Sequence, residues 1–302
     1  MSASVVDAQG PSPARLTVLC VLVLYGRSLA NVPAWRYLTE RLARPGAVPR
    51  NERAFVLDQI LIYDNSPSPA ARPLGHWSGV TWFHDASNGG TAAAYALACC
   101  KAAEADIDWL LLLDQDTTLP DNFFDAAGEC FAHHECHPRV LLPWVFDGGR
   151  VVSPARVTRR GSIAPLRFEP TLPTAYDLTA LASGSLLHVP TVSTLLPLPA
   201  CFWLDYVDHW IFLALRRRGC VMAVFATSLQ HHLSVCDVAS LSARRLVSIL
   251  DGEAHFTAQL NRAARIAYPF RVVARVARYA WVSPKLAVRA IGWIGARIRS
   301  LA

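Results

Sequence analysis

Residues 109–120 have the sequence WLLLLDQDTTLP, in which an unbroken apolar run ends in two aspartates that are separated by one residue. A run of this length, bounded by polar residues and a proline, is typical of a fully buried strand in a parallel sheet. Asp114 and Asp116 then lie at the carboxyl edge of the sheet, where open α/β folds bind ligands. Two close carboxylates are costly to bury unless a cation neutralises them, and Mg²⁺ or Mn²⁺ suits oxygen ligands and phosphates. The pattern predicts a metal and phosphate site, and the simpler alternative is a pair of solvated turn residues.

The first half of the chain alternates between strand and helix patterns. Strands are predicted at residues 16–24, 55–63 and 80–83, ahead of the aspartate-tipped strand, and helices at 31–42 and 91–102. This βαβαβ order predicts an α/β fold with a Rossmann-like, doubly wound and mostly parallel sheet.

The second half is irregular past residue 139, with short strands and many prolines. The regular pattern resumes with a helix at 206–218, a strand at 221–226 and a helix from 240 to about 264. Because no Gly/Ser-rich linker divides the chain, we expect one domain over residues 14–264 and a C-terminal amphipathic helical tail over 265–302.

The net charge of +6 is concentrated in that tail, since the chain after Glu253 has nine Arg or Lys and no acidic residue. Apolar residues of the tail recur three or four positions apart beside these basic residues, as in an amphipathic helix on an anionic membrane surface. The stripe consists of Val288, Ile291, Ile294, Ile298 and Leu301. The alternative is that it packs against the α/β domain or a second subunit, so the oligomeric state stays open. Nucleic acid is not an expected partner, since the chain has no basic patch with interleaved aromatics in a recognisable module.

The cysteines and the N-terminal segment predict a cytoplasmic location. Eight cysteines, mostly in apolar stretches and without a repeated spacing, indicate free thiols. Residues 16–24 are too short to span a bilayer and are not followed by a small-residue cleavage site. Together with the basic tail, these features predict a cytoplasmic protein that is peripheral at the inner face of the cell membrane. The Cys and His residues at 130–137 lack a second pair of suitable spacing, so a zinc site is not expected.

Polar and glycine-containing segments follow the other predicted strands, beginning at Tyr25, Asp64 and Asn88. Carboxyl ends of parallel strands share one edge, so these segments should meet Asp114 and Asp116 there. Gly89 and its neighbouring glycine permit close backbone approach at a helix N-terminus, where free N–H groups favour a phosphate or a polar base. Each segment alone is equally well explained as a loop, but their joint placement favours a nucleotide site.

The ordered motifs of residues 16–260 resemble those of bacterial family-2 glycosyltransferases with the GT-A fold, and are most similar to the rhamnosyltransferase-like branch. These motifs are VLVLYGRSL, LIYDNSP, FHDASNGGTAAAY, LLLDQDTT, ASGSLL, FWLDYVDHWIFLALRRRG and HHLS. One departure is Gly26, where many members of that family have asparagine after the aromatic residue.

The resemblance implies a role for individual residues. Asp116 and a histidine of the His231-His232 pair, with His232 preferred, would bind Mg²⁺ or Mn²⁺ on the donor diphosphate. Asp208 would be the catalytic base, and the alternative is a first-turn carboxylate that only stabilises its helix. The donor nucleotide would contact Tyr25, Asp64, Asn88, Gly89, Asp114 and Gln115. The acceptor would contact Trp144, Gly184, Ser185 and Asp205.

The implied activity is inverting, metal-dependent transfer of a sugar from a dTDP- or UDP-sugar to a glycan or polyprenyl-linked glycan in cell-surface polysaccharide synthesis. Rhamnose or another deoxyhexose is the expected sugar. The rival is a haloacid-dehalogenase-like phosphatase with Asp114 as nucleophile and Asp205 or Asp208 as metal ligands. In such phosphatases the D-x-D-x-T motif normally lies at the start of the fold, whereas here two strands and a helix precede it. In addition, no lysine lies between the two acidic motifs. A membrane-associated scaffold that has kept the fold is a third, non-enzymatic alternative.

Overall fold

The computed structural model describes residues 14–43, 53–72, 77–134, 137–169, 178–231 and 242–299. The strands are β1 (Ala14–Leu24), β2 (Arg53–Asp64), β3 (Val80–His84), β4 (Trp109–Asp114), β5 (Val140–Asp147), β6 (Arg150–Ser153), β7 (Ala155–Val157), β8 (Ile163–Pro165), β9 (Leu178–Thr179), β10 (Leu186–His188) and β11 (Met222–Gln230). The helices are α1 (Trp35–Ala43), α2 (Gly90–Glu104), α3 (Phe123–His133), α4 (Val189–Ser193), α5 (Val207–Arg217), α6 (Ala243–Ala258), α7 (Arg262–Val282) and α8 (Pro284–Arg299).

The main sheet has the strand order β11-β5-β10-β4-β1-β2-β3, with β6 paired to β5. Strands β1 to β4 form a parallel block, and β11 runs parallel to β5. Strand β10 is antiparallel to both β4 and β5, so these two strands point the same way on either side of it. The predicted α/β class with a mostly parallel sheet is therefore confirmed, and the antiparallel β10 is the part that the sequence did not indicate.

Both faces of the sheet are covered by helices, which explains the continuous apolar run of β4. Leu110 and Leu112 pack on the side of α2 and α5, whereas Trp109, Leu111 and Leu113 pack on the side of α1 and α3. A strand that is buried on both faces has no polar alternation. The six cysteines that lie in the described residues are free, in agreement with the expected thiols.

Helix boundaries differ from the prediction at two places. The segment predicted as a helix at 31–42 begins with a short 3-10 turn, and α1 itself starts at Trp35. The helix predicted from 240 to 264 is two helices, because Asn261 caps a new helix by accepting a hydrogen bond from the Ala264 N–H (2.9 Å). The expected boundary between domain and tail at residue 264 thus falls inside α7.

The tail helices pack on α6. Leu286, Ala287 and Ala290 of α8 are buried against Leu246 and Leu250 of α6, together with Tyr279 of α7. The expected stripe lies on another face of α8: Val288 is 69% exposed and Ile291 is 57% exposed. Leu301 and the side chain of Ile298 lie outside the described residues. Among the described helices, none combines the length and the hydropathy needed to cross a membrane.

Candidate active site

A cleft of about 620 Å³ lies at the carboxyl edge of the parallel strands. Its lining combines the ends of β1, β4 and β11, the segment from residue 203 to the start of α5, and side chains of α6 and α7. The polar and aromatic lining residues are Tyr25, Asn65, Asn88, Thr91, Tyr95, Asp114, Gln115, Asp116, Trp203, Asp205, Tyr206, Asp208, His209, His231, Ser242, Arg244, Arg245, Arg275, Arg278 and Tyr279.

Asp114, Asp116 and His231 form the candidate metal centre of this cleft. One potential ligand atom from each residue lies within 4.8 Å of the other two. A bridge between Thr118 and Gln230 holds the segments after β4 and before His231 together, with the Thr118 N–H donating to the Gln230 carbonyl (3.2 Å). The segments that follow β4 and β11 therefore meet because both strands end at the same edge of the sheet.

The charges at this centre are strongly coupled. Burial raises the pKa of Asp114 to about 6; the charge of His231 opposes this shift and that of Asp116 adds to it. Burial alone would raise the pKa of Asp116, but the nearby charge of His231 brings it below its usual value. Burial alone would lower the pKa of His231, but Asp116 and Asp114 raise it. The His231 imidazole thus lies beside two carboxylates, in the place where a divalent cation would neutralise them.

The donor set fits a hard divalent cation. The Asp116 Oδ1 atom is buried 3.2 Å from His231 Nδ1, and it has no well-directed hydrogen-bond partner in the described part of the chain. Its lone pairs are therefore open to a metal. His231 Nδ1 also lies 2.9 Å from Thr117 Oγ1, which fixes the ring orientation. Two carboxylates and one imidazole suit Mn²⁺ or Mg²⁺.

The second histidine of the pair, His232, lies outside the described residues, so the preference for it as a ligand stays a prediction. His231 is the member that the structure brings to Asp116. The alternation along β11 explains why His231 faces Asp116: Leu229 and His231 are buried, while Gln230 between them is exposed. Alternation of side chains along a strand thus carries His231 to the inner face.

Tyr25 and Gln115 line the cleft and are hydrogen-bonded to each other. The Tyr25 N–H donates to Gln115 Oε1 (2.9 Å), and Gln115 Nε2 donates to the Tyr25 carbonyl (3.2 Å). This reciprocal pair joins the end of β1 to the segment between Asp114 and Asp116. The Tyr25 ring remains 53% exposed and is open to a flat ligand.

Asp64 is fully buried and does not line the cleft. Its Oδ1 accepts a hydrogen bond from the Ser66 N–H (3.0 Å), and its Oδ2 accepts one from the Ala70 N–H (2.7 Å). The carboxylate predicted to contact the base thus orders the loop beside the cleft. Asn65 lines the cleft instead, and its side-chain oxygen accepts a hydrogen bond from the Gly90 N–H (3.2 Å).

The Asn-Gly-Gly segment allows the loop at residue 203 to lie on the start of α2. Asn88 lines the cleft and its carbonyl accepts a hydrogen bond from Trp203 Nε1 (2.6 Å). Gly89 is outside the lining and donates its N–H to Asp85 (2.8 Å). Gly90 has φ +76°, and a Cβ there would lie 2.1 Å from the Trp203 carbonyl oxygen. Only glycine meets both requirements at position 90.

Asp208 lies in the first turn of α5 and lines the cleft, half-buried. It directly follows a turn at Tyr206, which has φ 67°. Its Oδ1 accepts a hydrogen bond from the His209 N–H (2.7 Å), and its charge contributes to the raised pKa of Asp114. The predicted base and the candidate metal centre therefore share one cleft.

Of the four residues expected to contact an acceptor, Asp205 alone lines the cleft. It pairs with Arg245 (2.9 Å); burial raises the Asp205 pKa and Arg245 opposes the shift. Trp144 is buried in the core, and Ser185 Oγ donates to the Leu181 carbonyl (2.9 Å). Gly184 has φ +82°, and a Cβ there would lie 2.1 Å from Leu229 Cδ1. These three residues shape the turn before β10 and the core behind the cleft.

Sequence reasoning missed the cleft residues of α6 and α7, which include Arg244, Arg245, Arg275, Arg278 and Tyr279. Arg275 and Arg278 belong to the basic helical segment that the sequence analysis interpreted as a membrane-binding tail. The sequence feature that could have indicated a separate α7 is Asn261, a residue type that commonly caps the start of a helix.

No family model matches the chain, and no curated protein matches it. Solved structures of S. aureus TarS are similar in fold at low identity. TarS residues 1–349 in complex with UDP has a TM-score of 0.48 and 11% identity, covering 83% of this chain and 68% of that one. Its complex with UDP-GlcNAc has a TM-score of 0.46 and 11% identity, with coverage of 83% and 69%. Similarity at this level assigns no activity to the chain.

Proposed function

We propose that the protein is an inverting, metal-dependent glycosyltransferase that moves a sugar from a nucleotide sugar to a hydroxyl of a glycan or polyprenyl-linked glycan. The observation that carries this proposal is the convergence of two kinds of group in one cleft: the metal-ligand set Asp114, Asp116 and His231, and the separate carboxylate of Asp208. Inverting displacement needs a base for the acceptor hydroxyl and a cation for the leaving diphosphate.

Each residue then has a defined task in the reaction. A bound Mg²⁺ or Mn²⁺ would supply Lewis-acid neutralisation of the leaving diphosphate. Asp116 and His231 would hold that cation, with Asp114 beside them. Tyr25 and Gln115, together with the neighbouring asparagines of the lining, would enclose the nucleoside. Asp208 would accept the proton of the attacking hydroxyl on the face of the sugar opposite the diphosphate.

The finer assignments rest on the motifs of the sequence. A dTDP- or UDP-linked rhamnose or other deoxyhexose is the donor that the rhamnosyltransferase-like motifs imply, and cell-surface polysaccharide is the implied product. The phosphatase alternative would use Asp114 as a nucleophile. It is disfavoured because Asp114 ends the fourth strand of a sheet whose first three strands also end at this edge.

Nucleotide binding is the direct test of the proposal. We expect UDP or dTDP with Mn²⁺ to raise the free energy of unfolding by about 2.7 kcal/mol at 100 times the dissociation constant. Asp116→Ala should abolish the Mn²⁺-dependent part of this gain, as measured by thermal unfolding. Asp58→Ala, at an exposed carboxylate outside the cleft, is the matched control and should keep it.

Undiminished stabilisation in Asp116→Ala would remove the central argument. The phosphatase alternative has its own readout, because it predicts hydrolysis of p-nitrophenyl phosphate. Turnover that disappears in Asp114→Asn would establish that alternative and overturn the transferase.

We also propose that the outer face of α7 and α8 binds the inner surface of the cell membrane. Phe270 is 74% exposed and Trp281 is 92% exposed, and Val288 and Ile291 continue the apolar face. No acidic residue follows Glu253, so all charged residues that α7 and α8 themselves contribute are basic. Apolar burial and roughly 1 kcal/mol for each basic residue near anionic lipid would both favour binding.

Vesicle sedimentation tests this surface. The full chain should sediment with vesicles that contain anionic lipid, should be released by high salt, and should ignore zwitterionic vesicles. The double variant Phe270→Ser, Trp281→Ser should stay in solution yet bind nucleotide, because both side chains are exposed. Failure of the full chain to bind anionic vesicles would leave packing against another subunit as the role of this face.

A further inference from the structure

Four arginines from α6 and α7 line the same cleft as the aspartates of the metal centre. Two of them are neutralised within the protein. Arg245 pairs with Asp205 at 2.9 Å, and Arg275 pairs with Glu253 at 2.5 Å. These two cations are therefore part of the framework that supports the cleft wall.

The other two, Arg244 and Arg278, each have an aromatic ring nearby. The guanidinium carbon of Arg244 lies 4.2 Å from the centre of the Trp203 ring, and that of Arg278 lies 5.8 Å from the centre of the Tyr279 ring. Neither guanidinium has a carboxylate partner within the described ranges, and both side chains are exposed in the cleft. A guanidinium that lies over a ring face keeps its N–H groups available for a ligand.

The free edge of an arginine matches one class of ligand best. Its planar fork donates two parallel hydrogen bonds to a phosphate, with both geometry and charge complementary. Two such groups in one cleft would together balance the charge of a phosphate ester. A neutral sugar would leave both cations without a counter-charge.

The position of Arg244 indicates which substrate carries that phosphate. Trp203, on which Arg244 stacks, belongs to the segment that leads directly into Asp208. The donor diphosphate already has its counter-charge at the ligand set of Asp116 and His231. A second phosphate beside the base therefore belongs to the molecule whose hydroxyl Asp208 deprotonates.

We propose that Arg244 and Arg278 bind a phosphate of the acceptor, so that the enzyme glycosylates a phosphate-bearing acceptor rather than a neutral glycan. This inference rests on the proposed transferase function. The phosphate has two conceivable sources, the phosphate of a polyprenyl carrier and a phosphate on the sugar itself, and both offer the same chemistry to the arginines.

The test uses the full chain with saturating UDP and Mn²⁺, and measures binding of further probes by calorimetry. Farnesyl phosphate represents the carrier, glucose 1-phosphate represents a phosphorylated sugar, and farnesol and glucose are their neutral counterparts. We expect at least one phosphate probe to bind and the neutral probes to bind at least roughly tenfold more weakly. Binding of farnesyl phosphate alone would assign the carrier as the source, and binding of glucose 1-phosphate would assign the sugar.

The double variant Arg244→Gln, Arg278→Gln should weaken the phosphate probe by roughly tenfold or more and leave UDP affinity unchanged. Arg289→Gln, at an exposed arginine of α8 outside the cleft, is the control and should change neither. Loss of UDP affinity in the double variant with unchanged probe binding would assign these arginines to the donor and overturn the inference. So would the absence of phosphate-probe binding to a protein that binds UDP and Mn²⁺, whereas failure to bind UDP and Mn²⁺ would instead reject the transferase.

Discussion

Asp208→Asn is expected to reduce sugar transfer by about 10²–10⁴-fold, because general-base assistance typically contributes that much and an amide cannot accept the proton. Nucleotide and metal binding should be unchanged, since Asp208 lies on α5 and the metal-ligand set lies at the ends of β4 and β11. Release of nucleoside diphosphate from a panel of dTDP- and UDP-sugars measures the rate, and thermal unfolding measures nucleotide binding.

The control for this substitution is Asp121→Asn, at an exposed aspartate outside the cleft. It should transfer sugar at the original rate. If Asp208→Asn retains full activity, the carboxylate only stabilises the first turn of its helix, and the base must be sought elsewhere in the cleft.

Glu253→Gln is expected to lower the free energy of unfolding by roughly 3 kcal/mol, as removal of one partner from a buried ion pair does. The Glu253 side chain is 6% exposed and contacts two arginines of α7, Arg271 at 3.4 Å and Arg275 at 2.5 Å. Replacing the carboxylate would leave both guanidinium groups without their counter-charge in a poorly solvated place. Denaturant unfolding measures the loss.

The matched control is Glu40→Gln, which breaks an ion pair with Arg36 on the surface of α1. Both side chains of that pair are well exposed, so its loss should cost no more than about 1 kcal/mol. Equal effects of the two substitutions would mean that α7 is not fixed to α6 by Glu253, and that the tail is separable as the sequence suggested.

The fold and the acidic edge were predictable because each rests on a local pattern. The run before Asp114 is apolar at every position, which only a strand buried on both faces requires, and the turn residues that follow each strand mark its carboxyl end. Convergence of Tyr25, Asn88, Asp114 and Asp116 then follows from parallel topology alone. The antiparallel β10 has three residues and left no comparable pattern.

The position of the tail and the roles of the residues expected to contact an acceptor were not predictable in the same way. Periodicity indicates that a helix has an apolar face, but not what covers it: Leu286 and Ala290 face α6, whereas the more apolar stripe at Val288 and Ile291 is exposed. Gly184 and Ser185 have residue types that serve equally in a ligand site and in a tight turn. Only the contacts with Leu229 and Leu181 show that they build a turn.

The contact between Gly90 and Trp203 has a mechanical consequence. The Trp203 carbonyl accepts a hydrogen bond from the Ala92 N–H (3.3 Å), and the Leu204 carbonyl accepts one from Thr91 Oγ1 (3.2 Å). With the bond from Trp203 Nε1 to the Asn88 carbonyl, three hydrogen bonds connect the start of α2 to the segment that leads into Asp208. Under the proposed function, a nucleotide bound against Asn88 would thus contact the same hydrogen-bonded unit that leads into the proposed base, Asp208.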